Sequence, residues 1–384
     1  MSDATEALVS AQPEQQPEIA LVAKRTYDFG ADGVCSPSEE QIPLVETPEG
    51  YEELELPLLS PPNWDFDLLA FKPRTDVVLQ GSAYSYGGPA QVVDAELQMP
   101  GLTRTVRVYG DRTIQWHNGT PKFSKPVPFD QMPLRYDRAY GGCDVQAYHA
   151  HEDPVVDGVM ATEPNFQLEP FMGFHYPRNP SGAGFVMTLN EVSSQQIRVP
   201  NLEFPDDAIT PGRLAIGQPD RWLDAPLPAC FDWSHASWFP RIGYLGLTPE
   251  HAKPQTEVAE VTRGWAVPDI LTLRRVTNQG WHPDFQQGAS PGMSTERFKP
   301  GTVVTLRNLH PKVPELRLQV AAQPPEVEII VGPLSKLKAR PQLNALVIRP
   351  DEGQVVEVWS SRSVAARQYH QLELDKMSWT INWN

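Results

Sequence analysis

Cysteine is scarce in this chain of 384 residues: three only, at Cys35, Cys143 and Cys230, odd in number and without a CxxC pair. That pattern offers no disulfide framework and no zinc signature, and it fits a reducing compartment. Positive charge is short as well. The 32 Lys and Arg residues against 48 Asp and Glu leave −16 at pH 7, which argues against a general nucleic-acid binder, because phosphate contacts require a basic face. No run approaches the roughly 18 apolar residues needed to cross a bilayer, and residues 1–20 have neither the basic start nor the apolar core of a secretory leader. The expectation is a cytoplasmic protein with no membrane insertion. Helical periodicity is weak, and no period of 20 to 50 residues repeats, so solenoids and propellers are disfavoured.

Proline, by contrast, is abundant: 40 residues against 26 glycines, in a residue type whose average share is about 5%. Proline removes a ladder donor and stops helices, so short strands and ordered loops follow. Residues 19–29 read as an early strand. Val92 to Met99 alternates apolar and polar side chains, Pro100-Gly101 supplies a turn, and Thr103 to Tyr109 continues with period two, which predicts a hairpin. Residues 301–320 and 343–359 repeat this grammar, the latter around Arg349-Pro350-Asp351-Glu352-Gly353-Gln354. Short helices are expected near 258–265 and 363–369. The fold class is therefore mainly β, an antiparallel sandwich-like architecture with long Pro/Gly-rich loops and few short helices. The expected organisation is a disordered tail (1–18), an N-terminal β lobe (19–145), a loop-rich connection (146–182), a C-terminal β lobe (183–362) packed on the first, and an extension (363–384).

Met132-Pro133-Leu134-Arg135-Tyr136-Asp137-Arg138-Ala139-Tyr140-Gly141-Gly142-Cys143-Asp144 concentrates two arginines, two tyrosines and two aspartates. Arg and Tyr anchor interfaces, while internal Arg–Asp pairs hold a loop equally well, so structural locking and partner contact both stand. Asn179-Pro180-Ser181-Gly182-Ala183-Gly184-Phe185 is a turn that lets backbone approach backbone. The aromatic stretch 231–241 reads as core packing or as a groove for a peptide or glycan. His149 and His151 alternate on an extended segment and would share a face, but no third ligand is indicated, so no metal and no cofactor is expected. Ser181 or Ser237 with His175 or His235 lacks a Gly-x-Ser-x-Gly elbow. No catalytic residue is assigned. The candidate partner-binding residues are Arg135, Tyr136, Arg138, Tyr140, Asp144, Arg178, Asn179, Trp233, Trp238 and Arg241.

A set of ordered blocks carries a resemblance. Residues 24–29 with Asp32-Gly33, 71–77, 81–84, 108–112 and 132–142 are followed by 176–180 with Gly182 and Gly184-Phe185. Residues 200–203, 283–289, 304–309 and 346–352 complete the set. Over roughly residues 20 to 360 the chain resembles the bacterial type VI secretion adaptor family filed as domain of unknown function 2169. The resemblance implies a non-catalytic accessory protein that binds a toxin effector, often of the PAAR or Rhs type, and helps it reach the VgrG spike. Two departures stand out: Gly243-Tyr244-Leu245-Gly246 replaces the family's Gly-Thr-Tyr-Asp, and Trp359-Ser360 replaces its closing Trp-Arg. The rival readings are a hydrolase or carbohydrate-active enzyme using the 144–175 loop, and a structural component of the spike or baseplate.

Overall fold

The computed structural model describes residues 4–11, 16–51, 60–118, 120–143, 176, 178–185, 197–214, 225–235, 247–249, 273–275, 286–296, 298–332 and 335–383. In chain order the strands that build the scaffold are β1 (Glu6–Ala11), β2 (Glu18–Phe29), β3 (Cys35–Pro37), β4 (Thr75–Leu79), β5 (Val92–Met99), β6 (Leu102–Tyr109), β7 (Leu202–Glu203), β8 (Ser294–Thr295), β9 (Val303–Arg307), β10 (Glu315–Gln319), β11 (Glu326–Val331), β12 (Ser335–Lys338), β13 (Arg340–Arg349), β14 (Gln354–Val364) and β15 (Ser378–Asn382). The chain is mainly β. Its helices among the described residues are single turns at Tyr136–Arg138, Pro211–Leu214 and Gln371–Leu374.

A seven-stranded sheet runs β1-β2-β14-β13-β4-β8, with β3 also pairing β2; its ladders are antiparallel except β13 with β4, which is parallel. A five-stranded antiparallel sheet runs β7-β6-β5-β9-β10, and β12-β11-β15 forms a smaller third. The two large sheets face one another. Tyr27, Val355, Ile348 and Leu79 sit in one cross-strand row of the first, and Ala95, Leu97, Val106, Val108, Leu306 and Leu318 meet them from the second. Each apolar side chain removed from water this way contributes about 1.5–3 kcal/mol.

Burial patterns separate the sheets as physics requires. In β4 all five residues are buried, and Leu346, Val347 and Ile348 of β13 are fully covered, because the seven-stranded sheet is packed on both faces and reads as continuous apolar runs. Leu44, Trp233, Ile42, Trp64 and Leu68 cover its back. In β5 burial alternates strictly, since one face of the five-stranded sheet stays open to solvent. The β5–β6 hairpin pairs Met99 with Leu102, and its turn needs the positive φ of Gly101, 77°, at the position after proline.

Two expectations of organisation are corrected. Residues 6–11 of the expected disordered tail form β1, an edge strand in register with residues 18–23, and Leu8 is buried. The division into an N-terminal and a C-terminal lobe does not follow the sheets. β2 pairs β14, β4 pairs β13 and β5 pairs β9, so both ends of the chain build both large sheets. The extension at 363–384 begins inside β14 and ends in β15, which pairs β11. Where a helix was expected near 363–369, the strand continues to Val364 and one helical turn follows at Gln371–Leu374. The helix expected near 258–265 lies outside the described residues.

Candidate functional site

Residues 132–142 and 176–185 form a buried knot. Gly141 (φ 150°) pairs in parallel with Gly184, and Tyr140 with Ala183. A Cβ on Gly141 would lie 2.0 Å from the Asn179 carbonyl oxygen, so only glycine lets the two segments pass this closely. Asn179, fully buried, donates from Nδ2 to the carbonyl of Tyr136 at 2.7 Å and to that of Tyr140 at 2.9 Å. Tyr140 packs edge-on against Tyr176 with ring centroids 5.1 Å apart, and Arg178, 1% exposed, donates to the Tyr176 hydroxyl at 3.1 Å. Burial holds the Arg178 guanidinium well below its ordinary pKa.

Beside the knot, Asp232 is the hub of a second buried network. Tyr51 Oη donates to its Oδ2 at 2.6 Å, and Gln80 Nε2 (3.1 Å) and the Trp233 amide (2.8 Å) donate to its Oδ1. Burial pushes this carboxyl up to about 7, against the three donors and the nearby Arg135, which favour the anion. Arg135 lies over the Tyr51 ring at 4.7 Å and forks onto Asp137 with bonds of 3.0 and 3.1 Å. Tyr136 Oη and Ser290 Oγ are 2.5 Å apart, and Ser290 donates on to the Asp232 carbonyl at 3.1 Å.

Buried ions elsewhere also close on one another. Lys24 meets Asp67 at 2.7 Å beneath the Trp64 ring, and Lys72 meets Asp76 at 2.7 Å. Arg112 meets Glu203 at 2.5 Å while stacking on Tyr109. The blocks behind the resemblance prove to be joined by such contacts. Asp76 of 71–77 accepts from Gln287 Nε2 (2.5 Å) and the Gly288 amide (2.9 Å) of 283–289. Asp351 of 346–352 accepts from Ser82 (2.8 Å) and Tyr84 (2.9 Å) of 81–84. Asn201 of 200–203 donates to the Tyr109 carbonyl and to Asp111, both at 3.0 Å, and its amide donates to the Arg138 carbonyl at 2.8 Å.

Residues 14–360 match a family described as an uncharacterized protein conserved in bacteria, DUF2169. The chain belongs to this family. No curated protein and no solved structure matches it. In this DUF2169 member the blocks that carry the resemblance are thus scaffold: distant in sequence, adjacent in space, and held by polar bonds that are buried at Asp76 and nearer the surface at Asp351 and Asp111.

That outcome corrects part of the candidate partner-binding set. Tyr136, Tyr140, Arg178, Asn179 and Trp233 are at most 3% exposed, so they hold the scaffold and present no side chain for a partner to grip. Arg135 and Arg138 are each about a quarter exposed, and Arg138 is turned onto Met132 Sδ (3.1 Å) and Asn201 Oδ1 (3.4 Å). Asp144, Trp238 and Arg241 lie outside the described residues, as do His149, His151, His175, Ser237, the whole 144–175 loop and the departure at 243–246. Ser181 donates to Asn179 Oδ1 at 3.4 Å, and His235 is buried. At the second departure, Ser360 is fully buried and donates to the Ala70 carbonyl at 2.5 Å. Among the described residues, no three His, Cys, Asp or Glu side chains gather as metal ligands, and no helix is long and apolar enough to cross a membrane.

Sequence reasoning missed Lys24, Asp67, Lys72, Asp76, Arg112, Glu203 and Asp232. A signal existed. Lys24 and Asp76 interrupt or border runs that are otherwise apolar, and a charge within a fully buried strand demands a partner.

Proposed function

We propose that this protein is a non-catalytic, cytoplasmic accessory protein of a bacterial type VI secretion system, one that binds a toxin effector of PAAR or Rhs type and aids its loading onto the VgrG spike. The observation that carries this reading is that three buried ion pairs close on themselves: Lys24 on Asp67, Lys72 on Asp76, Arg112 on Glu203. Groups so paired hold the shape of a scaffold and are not poised at a cleft for proton transfer, which asks for a group within reach of a substrate. What the scaffold offers instead is surface, including a wide sheet face open to solvent. Family membership over residues 14–360 is in keeping with this use. An adaptor of this kind acts stoichiometrically, covering apolar or assembly-prone surface on its cargo through an interface of roughly 1,600 Å².

Co-expression with a PAAR- or Rhs-type toxin from the same genome, followed by size-exclusion chromatography, tests the proposal. The expected result is co-elution at fixed stoichiometry and a rise in soluble toxin. Separate elution at micromolar concentration, with toxin solubility unchanged, overturns it.

A further inference from the structure

The open face of the five-stranded sheet is ordered in rows that run across the strands. In one row Thr105 donates to Glu96 at 3.2 Å, Glu96 pairs with Arg307, and Arg307 Nε donates to Glu315 at 2.9 Å. Arg107 forks onto Asp94 beside it through two bonds of 2.8 Å. The next row is aligned by the same registers, Thr103 opposite Gln98, Gln98 opposite Thr305, and Thr305 opposite Arg317. None of these four side chains has a hydrogen-bond or ion-pair partner among the described residues. A row bonded to itself thus lies against one whose side chains have no partner among the described residues.

This second row lines an open depression of about 700 Å³ at the Pro100–Gly101 end of the hairpin, together with Val303. Space is free there, since a Cβ on Gly101 would meet nothing within 4 Å. The face is also electrically distinct. Asp94, Glu96 and Glu315 are balanced by Arg107, Arg307 and Arg317 on a chain of net charge −16, so an acidic partner is repelled less here than by the molecule as a whole. Of these six charges Arg317 is the one without a direct ion pair among the described residues. The sheet edge next to it is closed, because the Gln319 amide donates to the Gly33 carbonyl at 2.9 Å and Val34 bridges to Gln319. A guest must therefore lie across the face and cannot add as a further strand at this point.

We propose that Thr103, Gln98, Thr305 and Arg317 form a docking row for an extended acidic segment of a partner polypeptide. A carboxylate of the segment sits on the Arg317 guanidinium, whose fork matches it. Its main-chain amides bond to the threonine hydroxyls and the Gln98 amide, which both donate and accept. Four strands about 4.8 Å apart span roughly 14 Å, the reach of about four extended residues. The row rests on the adaptor reading only for which protein supplies the segment.

The probe is an acetylated, amidated hexapeptide of alternating threonine and glutamate, titrated calorimetrically into the full chain at low salt beside its threonine–lysine counterpart. The acidic peptide is expected to bind with a Kd of about 1 mM or tighter, and the basic one not to bind at this row. Arg317→Glu should weaken binding by about tenfold or more, because it removes a charge-assisted contact. Lys336→Glu, on the separate β12 edge with the same change in net charge, should leave it within about twofold. Arg317→Ala serves if Arg317→Glu alters the melting curve. Equal losses in the two charge-reversal variants, or no heat from the acidic peptide with the unmodified chain, overturn the docking row. Failure of the toxin to co-elute, with peptide binding intact, counts against the adaptor reading alone.

Discussion

Lys72 Nζ lies 2.7 Å from Asp76 Oδ2 with the two side chains 3% and 0% exposed, so an ammonium and a carboxylate four residues apart share one dry site under the Trp233 ring. The same carboxylate gathers Gln287 and the Gly288 amide from more than two hundred residues away. Removing one partner strands the other. Lys72→Met is expected to cost about 3–5 kcal/mol, since it leaves a buried carboxylate without its counter-ion. Lys72→Met combined with Asp76→Leu should recover the part of that loss due to the uncompensated charge, less what the Gln287 and Gly288 donors lose without their acceptor. Urea unfolding of the two variants checks this; a Lys72→Met loss below about 1 kcal/mol would mean the pair behaves as an exposed one.

The Gly141–Asn179 contact makes a different demand. Gly141→Ala places a methyl 2.0 Å from the Asn179 carbonyl oxygen, and that oxygen is main chain, tied by the Gly142 amide at 2.9 Å. Neither side can yield without opening the knot, and the variant is expected not to accumulate as folded protein. Asn179→Ala is milder. It leaves the Tyr140 carbonyl without its donor, worth about 1–3 kcal/mol when buried, while the Tyr136 carbonyl keeps the Ala139 amide at 3.1 Å. Yield and melting temperature of the pair rank the effects, and Gly141→Ala melting as the unmodified chain does would refute the close approach.

How much of this was legible beforehand depends on the range of the interaction. The β5–β6 hairpin was readable because alternation and the Pro-Gly turn are encoded within eighteen residues, and the buried runs of β13 and β14 show for the same reason. The pairing of β2 with β14 was not, since any two apolar strands satisfy the local pattern and register is set only when the whole sheet assembles. β1 escaped notice because an edge strand of mixed glutamate, alanine and valine looks like a tail until its neighbour is known. The arginine–tyrosine segment was conspicuous by composition, yet composition alone does not distinguish a surface anchor from a buried lock. The Tyr51–Asp232 bond, spanning 181 residues, leaves no mark in the sequence.

The status of β1 is open to a direct measurement. Leu8 is 4% exposed and packs with Ile19, Leu21, Val327 and Ile329. Leu8→Ala is expected to cost about 2–4 kcal/mol, as for other buried leucines, and the amides of residues 18–23 should lose hydrogen-exchange protection with it. An unchanged stability would return residues 6–11 to the status of a loose tail.

Asp232 carries the pH dependence. Its carboxyl titrates near 3.8 when unfolded and near 7 when buried in the folded protein. The folded state therefore holds the proton more tightly, so the stabilising contribution is complete at low pH, below the unfolded value. It is lost as pH rises towards 7, where the folded protein must release the proton and bury the anion. The span corresponds to about 4 kcal/mol at about 1.36 kcal/mol per pH unit. Glu357, raised by burial, acts with the same sign. Asp232→Asn keeps the neutral form at every pH, with Oδ1 still accepting from Gln80 and the Trp233 amide and Nδ2 able to donate to Tyr51. Relative to that variant, the unmodified protein is expected to lose stability steadily between about pH 4 and pH 7 and to level off above. Denaturant midpoints of the two proteins, taken across that range, should diverge with rising pH. Parallel profiles would show that Asp232 titrates as an ordinary carboxyl, and the Tyr51–Asp232–Gln80 cluster would then have to be wetter than its burial implies.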